Sequence, residues 1–147
     1  MAELFLVDSS TWIFALRRRS HEAIRQRIDK LLELDVVATC GPVALELLGG
    51  TANETEFVRL KKRLKGLHWL PVEDIDWEEA ARLVFSLRRV GVTVPFTDVL
   101  LAAVALRYNA ILLHADHDFD LIAMNSTLKI ESLVATVSQG QLGSSGE

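Results

Sequence analysis

"AILLHADHDFD", residues 110–120, decides the fold. Its first half is an apolar run of strand length, and its second half sets Asp116, Asp118 and Asp120 within five positions. A short apolar run bounded by polar residues predicts a buried strand. The three aspartates directly after it are expected to form one wall of a charged site, so the other apolar segments need to be read for acids in similar places.

Upstream, "LFLV" (4–7) repeats the pattern: it is short and β-compatible, and Asp8 closes it. Ser9 and Ser10 then offer N-cap chemistry to a helix beginning near Thr11. "SHEAIRQRIDKLLEL" places Ala23, Ile24, Ile28, Leu31, Leu32 and Leu34 close to a 3.6-residue period and predicts an amphipathic helix. "VVATC" (36–40) is a second strand candidate, after which Gly41 and Pro42 open a short helix through "VALELL" that Gly49 and Gly50 end. A basic helix fits 53–67 and a short strand "HWLPV" (68–72). Asp76 and Glu79 suggest a capping box for a helix running to about Val90, where Gly91 stops it. Thr97 can cap "DVLLAAVALRY", apolar nearly all round and therefore buried. After "AILLHAD" come a short helix around "FDLIAMN" and a last strand near "LKIES".

Strands alternating with helices predict an α/β domain of three layers, α/β/α, around a central parallel sheet. One domain over residues 1–135 is expected, with a tail at 136–147 too poor in apolar residues to pack and expected to be disordered. No internal repeat is visible.

The chain has 147 residues, half of them hydrophobic, enough for one real core. A single cysteine, Cys40, excludes an internal disulfide framework and reads as a buried, inert thiol. Glu3 and Asp8 interrupt the N-terminal apolar run and its arginines follow instead of preceding it, unlike a signal sequence. No apolar stretch approaches the roughly 20 residues that cross a bilayer. A soluble, cytoplasmic protein with no membrane attachment is expected. The net charge of −4 argues against a surface that grips nucleic acid everywhere. Two basic clusters, Arg17, Arg18 and Arg19, and Arg59, Lys61, Lys62, Arg63 and Lys65, read as solvated helix faces. Trp12, Trp69 and Trp77 are scattered, which suits packing or a dimer contact better than a stacking platform for bases.

Most acids fit polar helix faces or first turns. Four do not: Asp8 closing "LFLV", Glu46 inside "VALELL", Asp98 opening an apolar helix and Asp116 closing "AILLHA". Singly, Asp8 and Asp98 could serve helix N-termini, worth about 0.3–1 kcal/mol each, and Asp116 could cap a turn. Ligand sites of open parallel sheets lie beyond the carboxyl ends of strands, where Asp8 and Asp116 fall, and the helices bearing Glu46 and Asp98 follow loops that can reach the same edge. Two carboxylates about 5 Å apart at an effective dielectric near 20 repel by about 3 kcal/mol. No lysine or arginine accompanies the motifs around these acids, so a divalent cation is the economical answer, and an all-oxygen set suits Mg²⁺, with Mn²⁺ the alternative. Such a site suits phosphate chemistry.

"VDSSTWI", "PVALELLGG", "FTDVLLAAVAL" and "LLHADHDFDLIA" resemble, in order and spacing, the motifs of the PIN-domain family, specifically the VapC-type toxins of bacterial toxin–antitoxin pairs. The resemblance covers about residues 4–131. It implies a Mg²⁺- or Mn²⁺-dependent endoribonuclease acting as a growth-inhibiting toxin, an α/β/α fold, frequent homodimers and a cognate VapB-like antitoxin with a DNA-binding segment. Carried over residue by residue, Asp8, Glu46, Asp98 and Asp116 are the catalytic acids. Asp8, Asp98 and Asp116 are the expected metal ligands, Glu46 and Asp118 ligands through water, and Ser10 a supporting polar residue. Phe119 matches the aromatic of the last motif. His114 stands where the family usually has Thr or Ser. A zinc site using His114, Asp116 and His117 would lack a further Cys or His nearby in sequence.

Two other readings compete. A haloacid-dehalogenase-like phosphatase would also place an aspartate after its first strand, but wants a second one two residues on, where this chain has Ser10. A non-catalytic PIN-like module that binds RNA or protein would gain nothing from a repulsive acidic pocket.

Overall fold

Two apolar runs, each followed by an aspartate, form the middle of the sheet. In the computed structural model, which describes residues 3–16 and 21–138, β1 (Phe5–Val7) lies parallel to β4 (Ile111–His114), with Leu6 opposite Leu112 and Val7 opposite Leu113. All four of these side chains are wholly buried. β2 (Val37–Thr39) flanks β1 and β3 (His68–Trp69) forms that edge, while β5 (Ile130–Ser132) pairs with the far side of β4. Every pairing is parallel, in the order β3-β2-β1-β4-β5. Because the chain crosses from one half of the sheet to the other between β1 and β4, the crevice for a ligand opens at their carboxyl ends.

The connections are helical: α1 (Ser9–Leu16), α2 (Glu22–Glu33), α3 (Gly41–Gly49), α4 (Glu54–Lys65), α5 (Asp74–Arg89), α6 (Phe96–Arg107) and α7 (His117–Met124). The result is the expected three-layer α/β/α domain. In α2, Ile24, Ile28 and Leu31 turn inward, while Ala23, Leu32 and Leu34 of the same apolar pattern stay exposed. Helix α6 is buried from Val99 through Ala105, and its leucines and valines each contribute about 1.5–3 kcal/mol by leaving water. Cys40 is buried, and burial pushes its thiol up to about 11. Trp12 belongs to the core, whereas Trp69 and Trp77 are exposed.

Three helix starts differ from expectation. α1 begins at Ser9 because Asp8, not a serine, caps it: Thr11 donates its backbone N–H to Asp8 Oδ1 at 3.0 Å. α5 begins at Asp74, with Glu73 as N-cap and Asp76 as its reciprocal partner, so the capping box sits three residues earlier than Asp76 and Glu79 suggested. Asp76 is held there by Arg107, whose Nε is 2.7 Å from Oδ1. α6 starts one residue before Thr97, which does not cap it; the Pro95 carbonyl accepts the N–H groups of Asp98 and Val99.

Residues 134–138 are helical, so regular structure continues past position 135. The rest of the segment expected to be disordered, 139–147, lies outside the described residues, as does the Arg17, Arg18 and Arg19 cluster. No helix among the described residues is long and apolar enough to cross a membrane.

Candidate active site

Each strand that ends in the crevice hands an acid to the helix after it. Asp8 follows β1 and is almost completely buried, with Oδ1 accepting from the Thr11 hydroxyl at 2.6 Å and Oδ2 accepting from the Ser10 hydroxyl at 2.6 Å. Burial raises its pKa, and those hydrogen bonds oppose the rise. Asp116, two residues beyond β4, caps α7 by accepting the Asp118 N–H at 3.0 Å, which fixes Asp118 in the first turn. Asp98 occupies the first turn of α6.

Oxygen atoms of Asp98, Asp116 and Asp118 all lie within 4.8 Å of one another. Burial, followed by the charges of Asp116, Asp118, Asp8 and Glu46, raises the Asp98 carboxyl to about 7. Asp8 and Glu46 act on Asp98 through their charge but do not join the three-carboxylate group, where Asp118, expected to bind through water, stands in place of Asp8. Asp118 is also raised, by partial burial and then by Asp116. A set of carboxylate oxygens this close, with one member raised by its acidic neighbours, fits a hard divalent ion. The oxygen-only donor set suits Mg²⁺ or Mn²⁺ over zinc.

The third aspartate of the opening stretch belongs elsewhere. Asp120 turns to His114, with Oδ1 3.1 Å from Nε2, and its Oδ2 accepts from the Ser132 hydroxyl at 3.2 Å. His114 is fully buried, packs its ring against Phe119 at 5.2 Å between centroids, and accepts the Asp116 backbone N–H on Nδ1 at 3.3 Å. That acceptor role leaves the proton on Nε2, facing Asp120. Burial pushes the imidazole pKa down, against the pull of Asp120, Asp8 and Asp116. His114 is thus a strut beneath Asp116, and His117 is exposed with Nδ1 3.6 Å from Asp120. Neither histidine joins the three-carboxylate group, and the zinc alternative loses its donors.

Sequence reasoning missed three contributors. Ser9 donates its hydroxyl to the Glu46 carboxylate, tying α1 to α3. Thr11 is buried under Asp8, and Asp120 braces His114. The hydroxyl run "SST" directly after Asp8 is the signal that could have revealed the first two, since a buried carboxylate needs donors. Arg59 and Arg63, read as part of a solvated helix face, line a groove of about 500 Å³ together with Glu46.

A five-stranded parallel sheet with an acidic crevice at its switch point defines the protein as an open α/β fold whose carboxyl strand ends carry the candidate site. Comparison with known proteins makes the class specific: the PIN domain family model matches residues 5–124, and the chain belongs to that family. It is 35% identical over 133 residues to the VapC ribonuclease Mb1587 of Mycobacterium bovis, covering 88% of this chain and 98% of that protein. Ribonuclease VapC51 of Mycobacterium tuberculosis is 32% identical over 126 residues, 84% of this chain and 88% of that one. Among solved structures, the DNA-bound VapBC from Salmonella typhimurium shares the fold with a TM-score of 0.74 at 19% identity, covering 89% of this chain and 98% of that one. VapBC2 from Rickettsia felis, bound to a promoter DNA fragment, gives 0.73 at 17% identity, with coverage of 88% and 98%.

Proposed function

We propose that the protein is a metal-dependent endoribonuclease that hydrolyses RNA phosphodiester bonds in the cytoplasm, as the growth-inhibiting toxin of a toxin–antitoxin pair. The observation that carries this reading is the meeting of Asp98, Asp116 and Asp118 in the crevice of a PIN domain. Relatives at 35% and 32% identity are ribonucleases by name, and structural neighbours are VapBC complexes, which supports a VapB-like antitoxin as partner. The exposed aromatics Trp77 and Phe85 on α5 and Phe96 on α6 are consistent with a homodimer.

Asp98, Asp116 and Asp118 would hold Mg²⁺ or Mn²⁺, with Asp8 and Glu46 at its margin. When bound, the cation supplies charge against the phosphodiester and acidifies water. Ser10 and Thr11 hold the Asp8 carboxylate in one orientation. Ser9 does the same for one oxygen of Glu46, and the other would accept a hydrogen bond from a water positioned for attack. One water is consumed for each P–O bond broken. The phosphatase reading falls with family membership, and Ser10 occupies the place its second aspartate would need.

The test is cleavage of total cellular RNA by purified protein in Mg²⁺, Mn²⁺ or EDTA, beside Asp98→Asn. Discrete fragments that require metal and vanish in the variant are expected. Cleavage that persists in EDTA and in the variant would overturn the mechanism, and a folded protein that cuts nothing in any metal would return the weight to a binding module.

A further inference from the structure

We infer that Asp120 is a positioning residue: acting through the His114 ring, it sets where Asp116 and Asp118 stand for the proposed cation. The inference rests on the metal-dependent reading and adds what holds two of the three acids in place. Residues 118 and 120 are two apart on α7, about 200° around the helix axis, so their carboxylates leave opposite faces. Asp118 meets Asp98 and Asp116, while the mostly buried Asp120 turns toward β4 and β5. Its Oδ2 accepts from the Ser132 hydroxyl of β5 at 3.2 Å, and its Oδ1 lies 3.1 Å from His114 Nε2 at the end of β4. The other ring nitrogen, Nδ1, accepts the Asp116 N–H at 3.3 Å, and Asp116 Oδ1 in turn accepts the Asp118 N–H at 3.0 Å. One continuous path runs from the sheet edge to both acids.

The path works in one tautomer only. A neutral imidazole carries a single proton, and the nitrogen without it is the acceptor. An ionised Asp120 can only accept, so it favours the proton on Nε2 and leaves Nδ1 open to the Asp116 N–H. With Asp120 gone the proton is free to move to Nδ1, where it would face that N–H donor head on. His114 is fully buried, its ring packs on Phe119 at 5.2 Å between centroids, and its carbonyl accepts the Leu133 N–H at 2.7 Å. The ring is thus held on its other sides, and the first turn of α7 is what must give way, carrying the oxygens of Asp116 and Asp118 with it.

The competing account is a tie that merely fastens α7 to β5, and Arg27 supplies its control. Arg27 grips Glu131, the neighbour of Ser132 in β5, through two bonds of 2.7 Å and lies off the path. Two readouts on metal-free protein at pH 8 separate the accounts. Nitrogen NMR of selectively labelled histidine, with His114 assigned by its absence from His114→Leu, reports which ring nitrogen holds the proton, and Mn²⁺ titration read by electron paramagnetic resonance reports what the acids bind. Unaltered protein should carry the proton on Nε2. Asp120→Ala should shift protons toward Nδ1 and weaken Mn²⁺ binding at least about tenfold, the scale of loss when a partner that orients metal ligands is removed. Asp120→Asn, whose amide oxygen still accepts from Nε2, should keep the tautomer and recover most of the affinity. Arg27→Ala should lower the melting temperature and change neither readout. Undiminished Mn²⁺ binding by Asp120→Ala, weakened binding with the tautomer unchanged, Asp120→Asn as weak as Asp120→Ala, or an equal loss in Arg27→Ala would each overturn the positioning role and leave the metal site standing. If Asp120→Ala does not fold, Ser132→Ala is read in its place, with a smaller change in the same direction expected and no change in either readout counting as refutation. Unaltered protein that binds no Mn²⁺ would remove the metal reading and this inference together.

Discussion

Helix α6 carries Asp98 in its first turn and Arg107 in its last, about 13 Å apart along the axis. The helix dipole favours both charges where they stand, yet the two ends are in opposite states. Arg107 grips Asp76 through Nε at 2.7 Å and through its second nitrogen at 2.9 Å, and also donates to the Pro71 carbonyl at 2.8 Å. Burial alone would raise Asp76, but these bonds and the Glu73 N–H hold it below the usual carboxylate range. Burial, and then the charges of Asp116, Asp118, Asp8 and Glu46, raise the Asp98 carboxyl to about 7. The charges at one end serve the fold and are answered inside the chain. Those at the other end form the group proposed to hold the metal.

Breaking the paired end should cost stability and spare chemistry. Arg107→Ala leaves Asp76 buried and uncompensated, with an expected loss of about 3–5 kcal/mol in urea unfolding and unchanged cleavage per folded molecule. Breaking the unpaired end should do the reverse. Asp98→Asn is expected to lower RNA cleavage about a hundredfold or more, beyond the usual cost of a residue that only braces a ligand, without lowering the melting temperature of metal-free protein.

The strut beneath Asp116 should give a smaller effect. His114→Leu removes the acceptor for the Asp116 N–H and is expected to lower kcat about tenfold. His114→Asn keeps an acceptor near the place of Nδ1 and should recover most of that loss, which a cavity effect alone would not explain. The smallest effect is in pH. A carboxyl whose folded pKa lies above its unfolded value of about 3.9 binds its proton more tightly in the folded state, so stability falls as pH rises from about 4 through about 7. Metal-free protein should therefore melt about 2–5 °C lower at pH 8 than this group would allow at pH 5. Asp98→Asn should flatten that decline, as differential scanning fluorimetry would show.

The sheet was legible because "LFLV", "VVATC" and "AILLHA" are apolar runs of strand length, each handing over to a polar turn. The acids that meet were legible for the same reason: they interrupt apolar segments. What stayed hidden depends on partners distant in sequence. Asp76 is a cap partner because Arg107 reaches it from the end of α6, and Glu46 is oriented by Ser9 from another helix. Asp118 and Asp120 look alike in the motif, yet α7 turns one toward Asp98 and the other toward a buried histidine.

The most direct test of the contrast along α6 is titration of Mn²⁺ into metal-free protein at pH 7, read by the loss of the free-ion signal in electron paramagnetic resonance. The unaltered protein and Arg107→Ala, measured where it is folded, should bind alike, and Asp98→Asn should bind at least about tenfold more weakly. Equal binding by Asp98→Asn, or no binding by the unaltered protein, would contradict the claim that these acids await a cation.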